Sequence, residues 1–245
     1  MRISCRGAGT PTILTEAGYQ SSGVDTFRAL MGPLSDLSRV CSYDRAGIGA
    51  SDRRLDDTRV TSGLQAAELH LLLAGAGVDP PYLLVGHSYG GFIVRLFAAR
   101  YPDETAGLIL LDSSHEDEIA AYRRFYGDSG AGDWIDGGDL IDIDATARAL
   151  RRSARDFGDT PLITIRAEIY EDVLSVALWR RTQADLATLS ADAVAAVAVG
   201  SGHFIPDEDP EVIVEAASAM VATIRHGRSL PPCERIFDAT HGRCA

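Results

Sequence analysis

The chain has 245 residues, a length that suits one α/β domain or two small ones, and 46% of them are hydrophobic, enough for a large core. A formal charge of −12 opposes nucleic acid and anionic membrane surfaces as partners; all 23 basic residues are arginine, which excludes a catalytic lysine, and the lack of asparagine excludes N-glycosylation. No apolar run reaches bilayer length, so the expectation is a soluble protein acting on a small molecule; no basic segment followed by an apolar stretch marks a signal peptide, which favours the cytoplasm, and the compartment stays open on the cysteines below.

Residues 1–6 read as a short strand, and 11–15 as a second that runs into Glu16-Ala17-Gly18-Tyr19. A helix over 27–37 follows, then a strand at 39–43 and the turn Asp44-Arg45-Ala46-Gly47-Ile48-Gly49. Leu64, Ala67, Leu69 and Leu71 to Leu73 give a helical period over 61–76, which Gly77 and Asp79-Pro80-Pro81 end. Tyr82-Leu83-Leu84-Val85 is a buried strand leading into Gly86-His87-Ser88-Tyr89-Gly90-Gly91, with a helix over 92–99 behind it. Leu108-Ile109-Leu110-Leu111 is another buried strand, ending at Asp112. Residues 113–160 change character: they are polar, acidic and Gly-rich around 127–144, with helical pieces at 116–126 and 145–156. A strand at 161–165, a helix at 173–189, a last strand at 193–199, the turn Gly200-Ser201-Gly202-His203 and a helix from 210 to about 226 complete the pattern. Strands alternating with helices predict an α/β fold whose mostly parallel sheet is covered on both faces. Ligands of such sheets bind at the carboxyl ends of the strands. Ser88, Asp112 and His203 each lie just past a strand end, so the fold brings them to one edge.

A G-x-S-x-G turn between a strand and a helix lifts its serine out on a tight, strained bend and aims the next amide, that of Tyr89, at a developing oxyanion. A second amide is expected from the loop after the early strand, at Tyr19, where Gly18 lets the backbone turn inward. A serine hydroxyl needs a base, and the base needs an acid partner. Of six histidines, His203 is the best base, because it follows a flexible Gly-Ser-Gly between strand and helix. His87 adjoins the serine but points away from it, to line the pocket or pack; His115 lies just past Asp112 and faces the cleft; His70, His226 and His241 carry no signal. Asp44 and Arg45 read as an internal ion pair that braces the core loops. The cysteines form no C-x-x-C pair, which argues against zinc or redox chemistry. Cys233 and Cys244 flank the tail, 229–245, as a candidate disulfide loop; Cys5 and Cys41, each in a predicted strand, are the other candidate pair. Paired cysteines suit an exported protein, and four reduced thiols a cytosolic one.

Glu16-Ala17-Gly18, the run from Tyr43 to Asp52, Gly86-His87-Ser88-Tyr89-Gly90-Gly91 and Gly200-Ser201-Gly202-His203 occur in the order found in α/β-hydrolases, and the chain resembles that family over nearly its whole core. The resemblance implies a core of 1–112 and 161–245 that begins close to the family's second strand, with 113–160 as a small helical cap. It implies Ser88 as nucleophile, His203 as base and an oxyanion hole from Tyr19 and Tyr89, without metal or organic cofactor. Glu-Ala-Gly replaces the usual His-Gly of the oxyanion loop, and Glu16 lines the pocket or ties down that loop. Tyr122, Phe125 and Trp134 of the cap shape a pocket or pack. The acid is open: the segment where the family usually carries it, Arg166 to Asp172, lacks the usual glycine. Asp112, placed where a subset of the family puts it, is preferred; Glu171 or Asp172, then Glu168, are the alternatives. The function expected is hydrolysis of a carboxylic ester, lactone or thioester of a small molecule through an acyl-enzyme. The alternatives are a cofactor-free cyclase, lyase or acyltransferase, and a non-catalytic ligand-binding scaffold. A serine where haloalkane dehalogenases and epoxide hydrolases carry aspartate argues against their chemistry.

Overall fold

The computed structural model describes residues 1–55, 59–126, 134–170 and 173–245, apart from the side chains at 122, 125, 126 and 173–175. In chain order the elements are β1 (Arg2–Arg6), β2 (Thr12–Glu16), α1 (Gly23–Thr26), α2 (Met31–Leu37), β3 (Val40–Asp44), α3 (Ser62–Gly75), β4 (Tyr82–His87), α4 (Gly90–Arg100), β5 (Thr105–Leu111), α5 (Glu116–Tyr126), β6 (Trp134–Asp136), β7 (Asp139–Ile141), α6 (Ile143–Ser153), β8 (Leu162–Ala167), α7 (Val173–Leu186), β9 (Ala193–Ala198), α8 (Ile205–Glu208), α9 (Pro210–His226) and β10 (Gly242–Cys244).

Apolar residues occupy both parities of the central strands, the pattern of strands buried on two faces. Ile13, Leu83, Val85, Ile109, Leu111 and Ile163 pack on one side with Leu34 of α2 and with Val212, Ile213, Ala216 and Met220 of α9. Leu14, Leu84, Leu108, Leu110 and Leu162 pack on the other, with Leu69 and Leu73 of α3, Ile93 and Phe97 of α4 and Leu150 of α6. Each such side chain removed from water contributes about 1.5–3 kcal/mol.

The described residues form an eight-stranded sheet in the order β1-β3-β2-β4-β5-β8-β9-β10. The six inner strands are parallel, and β1 and β10 close the edges antiparallel. From β2 the chain moves outward to β3 and then returns past β2 to β4, so the strand order reverses between β2 and β4. A reversal of this kind opens a crevice at the carboxyl ends, and here it lies between Glu16-Ala17-Gly18-Tyr19 and Ser88.

Three expectations change. The helix expected at 27–37 is shorter, Met31–Leu37, because Pro33 has no N–H to bond back to residue 29 and so belongs in the first turn of a helix that starts near Met31; turns over 27–30 join it to the separate short helix Gly23–Thr26. The Gly-rich stretch of 113–160 contains a hairpin, β6–β7, whose two-residue loop Gly137-Gly138 has positive φ at both positions, 63° and 92°, as a type I′ turn requires. The tail adds β10 beside β9. Both expected cysteine pairs are at bonding distance: Cys5 joins β1 to its register partner Cys41 in β3, and Cys233–Cys244 closes the tail onto β10. Among the described residues no helix is long and apolar enough to cross a membrane.

Candidate active site

β4 ends in a bend that only a short list of residues permits. Ser88 sits at φ +52°, a left-handed conformation uncommon for a residue with a Cβ. It is held there by its N–H on the Leu111 carbonyl (3.0 Å) and by its own carbonyl, which accepts from Gly91 and Ser114 N–H (3.0 Å each). The flanking glycines are needed for approach: a Cβ on Gly86 would press on Val94, and one on Gly90 on the Glu16 carbonyl. Ser88 is thereby left half-buried, with its hydroxyl outward.

The Ser88 Oγ lies 3.0 Å from His203 Nε2, and His203 Nδ1 lies 2.7 Å from Asp112 Oδ2. Asp112 is fully buried, with φ +38°, past the end of β5. Its other oxygen accepts three donors: Ala167 N–H at 2.8 Å, Tyr170 O–H at 2.6 Å and Trp179 Nε1–H at 2.7 Å. Four donors from the protein, His203 Nδ1–H included, thus converge on the two oxygens of this one carboxylate. Burial and the Asp112 charge hold the Tyr170 phenol well above its usual range, so it stays a donor. Neither Tyr170 nor Trp179 is marked by any motif. The segment after β8 does carry a signal in hindsight: where the acid was sought as an alternative, the chain supplies donors to Asp112.

The loop carrying His203 is fixed from several sides. Glu168 Oε2 accepts from Gly200 N–H (2.9 Å), and Oε1 from Arg243 (2.5 Å). Glu168 is therefore engaged as a tie for this loop, not with the histidine. Glu208 accepts from Gly202 N–H (2.6 Å). His87, 3% exposed, donates from Nε2 to the His203 carbonyl (2.8 Å), and its ring centre is 4.9 Å from that of His203. Burial, with His203 beside it, lowers its pKa to about 4, so it is a neutral donor packed beneath the histidine loop. Glu171 and Asp172, and the side chains of Tyr122 and Phe125, lie outside the described residues.

Two expected pocket residues sit elsewhere. Glu16 is 1% exposed and bonds Arg45 Nη1 (2.6 Å) and the Tyr43 hydroxyl, so it ties down the loop rather than lining a surface. Burial raises its pKa to about 7 despite Arg45. His115 is buried where α5 meets α7: its Nδ1 accepts from Asp117 N–H (3.1 Å) and its Nε2 donates to Asp185 (2.8 Å). Its neighbour Glu116, also buried, is drawn down to about 2 against the opposing effect of burial by Arg95 of α4, at 2.8 Å. These bonds fasten α5 to the helix behind Ser88. Asp44 and Arg45 do brace the loops, but not as a pair: Asp44 accepts from Ser22, Val24 and Ala50, while Arg45 pairs with Glu16 and with Asp136 of the hairpin. Trp134 packs on Tyr19 and Tyr89, with ring centres at 5.0 and 6.2 Å. The backbone N–H groups of Tyr19 and Tyr89 bond no backbone carbonyl among the described residues.

Asp209, Glu211 and His241 bring ligand atoms within 4.8 Å of one another at the start of α9. Asp209 caps that helix at Val212 N–H and bonds His241, which accounts for the grouping.

Glu118 is a buried acid that no motif marks. Burial raises its pKa to about 8. Thr182 Oγ1 has one proton and lies 2.9 Å both from Glu118 Oε1 and from the Trp179 carbonyl, an arrangement completed if Glu118 carries the other proton. Its folded pKa exceeds its unfolded one, so the folded state binds the extra proton and stability falls as pH rises from about 4.5 to about 8, in total by a few kcal/mol. Glu118→Gln is expected to flatten this slope and raise the melting temperature at pH 8 by several degrees, with no gain at pH 4.5, as thermal melts across that range will read.

A model of the alpha/beta hydrolase fold family matches residues 12–133. The chain is 30% identical over 211 residues to YqjL, an uncharacterized protein of Bacillus subtilis (strain 168), covering 85% of this chain and 82% of that one. Among solved structures it resembles a thermophilic esterase from Thermogutta terrifontis, with a TM-score of 0.67 at 20% identity, covering 91% of this chain and 93% of that one. It also resembles a meta-cleavage product hydrolase from Pseudomonas fluorescens IP01, with a TM-score of 0.63 at 16% identity, covering 92% and 94%. The family model, the likeness to YqjL along most of both chains and the strand order agree, and the chain belongs to the alpha/beta hydrolase superfamily.

Proposed function

We propose that this protein is a carboxylesterase-like serine hydrolase that cleaves a carboxylic ester, lactone or thioester of a small molecule through an acyl-enzyme. The observation that carries the reading is the chain of bonds from Ser88 Oγ through His203 to the buried Asp112 carboxylate, with Ser88 on a strained bend. Ser88 Oγ attacks the carbonyl carbon while its proton passes to His203 Nε2. Asp112 holds the Nδ1–H and stabilises the imidazolium. The backbone N–H groups of Tyr19 and Tyr89 receive the oxyanion. His203 then protonates the leaving group; a water deprotonated by the same nitrogen attacks the acyl carbon, the acyl–Oγ bond breaks, and His203 returns the proton to Ser88 Oγ as the acid leaves. The 113–160 segment acts as a cap, with Trp134 packed on Tyr19 and Tyr89. The net charge of −12 favours neutral or cationic substrates over phosphorylated ones.

The test is turnover of p-nitrophenyl esters from acetate to decanoate, together with covalent labelling by a fluorophosphonate mapped by mass spectrometry. Turnover with the label on Ser88 is the expected result, and the chain-length optimum sizes the acyl pocket. A folded protein that neither turns over any ester nor takes the label overturns the reading. Labelling without ester turnover favours a non-hydrolytic use of the same serine.

A further inference from the structure

The peptide units on either side of Tyr19 are both clamped by one side chain of the β6–β7 hairpin and the arginine it holds. Asp136 is 1% exposed and Arg45 3%. Asp136 Oδ1 accepts from the N–H of Gln20, the residue after Tyr19, at 2.8 Å. The same carboxylate grips Arg45 at Nε (2.7 Å, through Oδ2) and Nη2 (3.0 Å, through Oδ1), and Oδ2 takes a further bond from Gln65 (3.2 Å). Arg45 in turn donates from Nη2 to the Gly18 carbonyl (2.7 Å) and from Nη1 to the Ala17 carbonyl (2.9 Å). The Gly18 carbonyl and the Tyr19 N–H belong to one planar trans peptide, so they point in opposite directions. Fixing the carbonyl on Arg45 therefore fixes the direction of the N–H. The Gly18 end of this peptide lies against the nucleophile, since a Cβ on Gly18 would stand 3.3 Å from Ser88 Cβ. Gln20 has φ +54°, an unfavourable conformation that persists only under such restraint.

The hairpin is seated as tightly as its side chain implies. Gly137 and Gly47 meet backbone to backbone, and a Cβ on either would overlap a backbone oxygen of the other segment. The Tyr19 hydroxyl accepts from Ile135 N–H (2.7 Å), and Gln20 Nε2 donates to the Ile135 carbonyl (2.7 Å).

We propose that Asp136 is a positioning residue for the reaction: the docked hairpin, through Asp136 and Arg45, sets the direction of the Tyr19 amide beside Ser88. The proposal rests on the reading of that amide as an oxyanion donor. It makes the hairpin part of the machinery, because without Asp136 the Gln20 N–H loses its acceptor and Arg45, still paired with Glu16, loses the carboxylate that holds its Nε and Nη2 and with it the fixed aim of Nη2 at the Gly18 carbonyl.

The experiment compares Asp136→Ala and Asp136→Asn with Asp139→Asn in the full chain, by ester kinetics and by amide hydrogen exchange at residues 18–21. Asp139 closes the same hairpin but pairs with Arg54 and, among the described residues, makes no bond to the loop. Loss of one oxyanion donor costs roughly 10²–10³ in kcat, so Asp136→Ala is expected to lower kcat about 100-fold with KM within about 3-fold. Asp136→Asn keeps the acceptor for Gln20 but not the charge for Arg45, and about 10-fold is expected. Asp139→Asn is expected to stay within about 3-fold, and only the Asp136 variants to speed exchange at Gln20. A near-wild-type kcat in Asp136→Ala, or equal losses in the Asp136 and Asp139 variants, overturns the proposal. If Asp136→Ala does not fold, Asp136→Asn carries the same comparison. If the wild type hydrolyses no ester, the esterase reading falls, and the exchange data alone judge the clamp: faster exchange at Gln20 confined to the Asp136 variants supports it, and any other pattern overturns it.

Discussion

Ser88→Ala is expected to lower kcat for every ester the protein cleaves by about 10⁵–10⁶-fold, leaving the fold intact. The magnitude follows from losing the covalent route outright, since among the described residues Ser88 Oγ is the one hydroxyl on His203 Nε2. What remains is catalysis by the oxyanion donors and by binding, about 10³–10⁴ over water. The fold is spared because among the described residues the serine hydroxyl bonds only His203, and because alanine carries the same Cβ into the same left-handed bend. Steady-state kinetics on the p-nitrophenyl series, with melting temperatures of the two proteins matched, check both halves. A variant that retains more than about a tenth of wild-type turnover would place the nucleophile elsewhere.

The second large effect is Asp112→Asn, expected to lower kcat about 10⁴-fold. The surroundings dictate which way the amide must face. Three donors, Ala167 N–H, Tyr170 O–H and Trp179 Nε1–H, converge on the position of Oδ1, so the amide oxygen has to stay there. The amide nitrogen then faces His203 Nδ1, a donor against a donor. The imidazole responds by moving its proton to Nε2, which turns the nitrogen facing Ser88 from an acceptor into a donor. The serine proton then has nowhere to go, although the variant is nearly isosteric and its melting temperature stays close to the wild type's. A loss of less than about tenfold would transfer the acid to Glu171 or Asp172.

The proposed nucleophile and base, Ser88 and His203, could be picked out because each is announced by a local pattern, a strand followed by a turn with glycines. Asp112 was legible only as one of several carboxylates at strand ends, since choosing among them needs the three donors that surround it, and these come from segments 55 to 67 residues away. The sheet could be read from the apolar parity of its strands. The hairpin could not, because β6 and β7 are three residues each and their polar flanks hide the alternation, though Gly137-Gly138 between Trp134-Ile135 and Leu140-Ile141 was the available signal. Glu16, Arg45 and Asp136 fail for a different reason. Buried charges find partners 29 and 91 residues away, and nothing periodic marks a carboxylate as interior rather than solvated.

The chain has two tryptophans, and they divide the site between them. Trp179 bonds Asp112 and stands edge-on to His203, with ring centres 5.8 Å apart and the planes at 82°. Trp134 rides on the hairpin, against Tyr19. Indole emission is quenched by a protonated imidazole nearby and shifts with the polarity around the ring. The protein thus carries two native optical reporters: Trp179 follows the charge on the histidine, and Trp134 follows the seating of the hairpin. Trp134→Phe isolates the first signal and Trp179→Phe, which also removes one donor from Asp112, the second, so the imidazole charge and the hairpin can be followed in two separate stopped-flow traces without any attached dye.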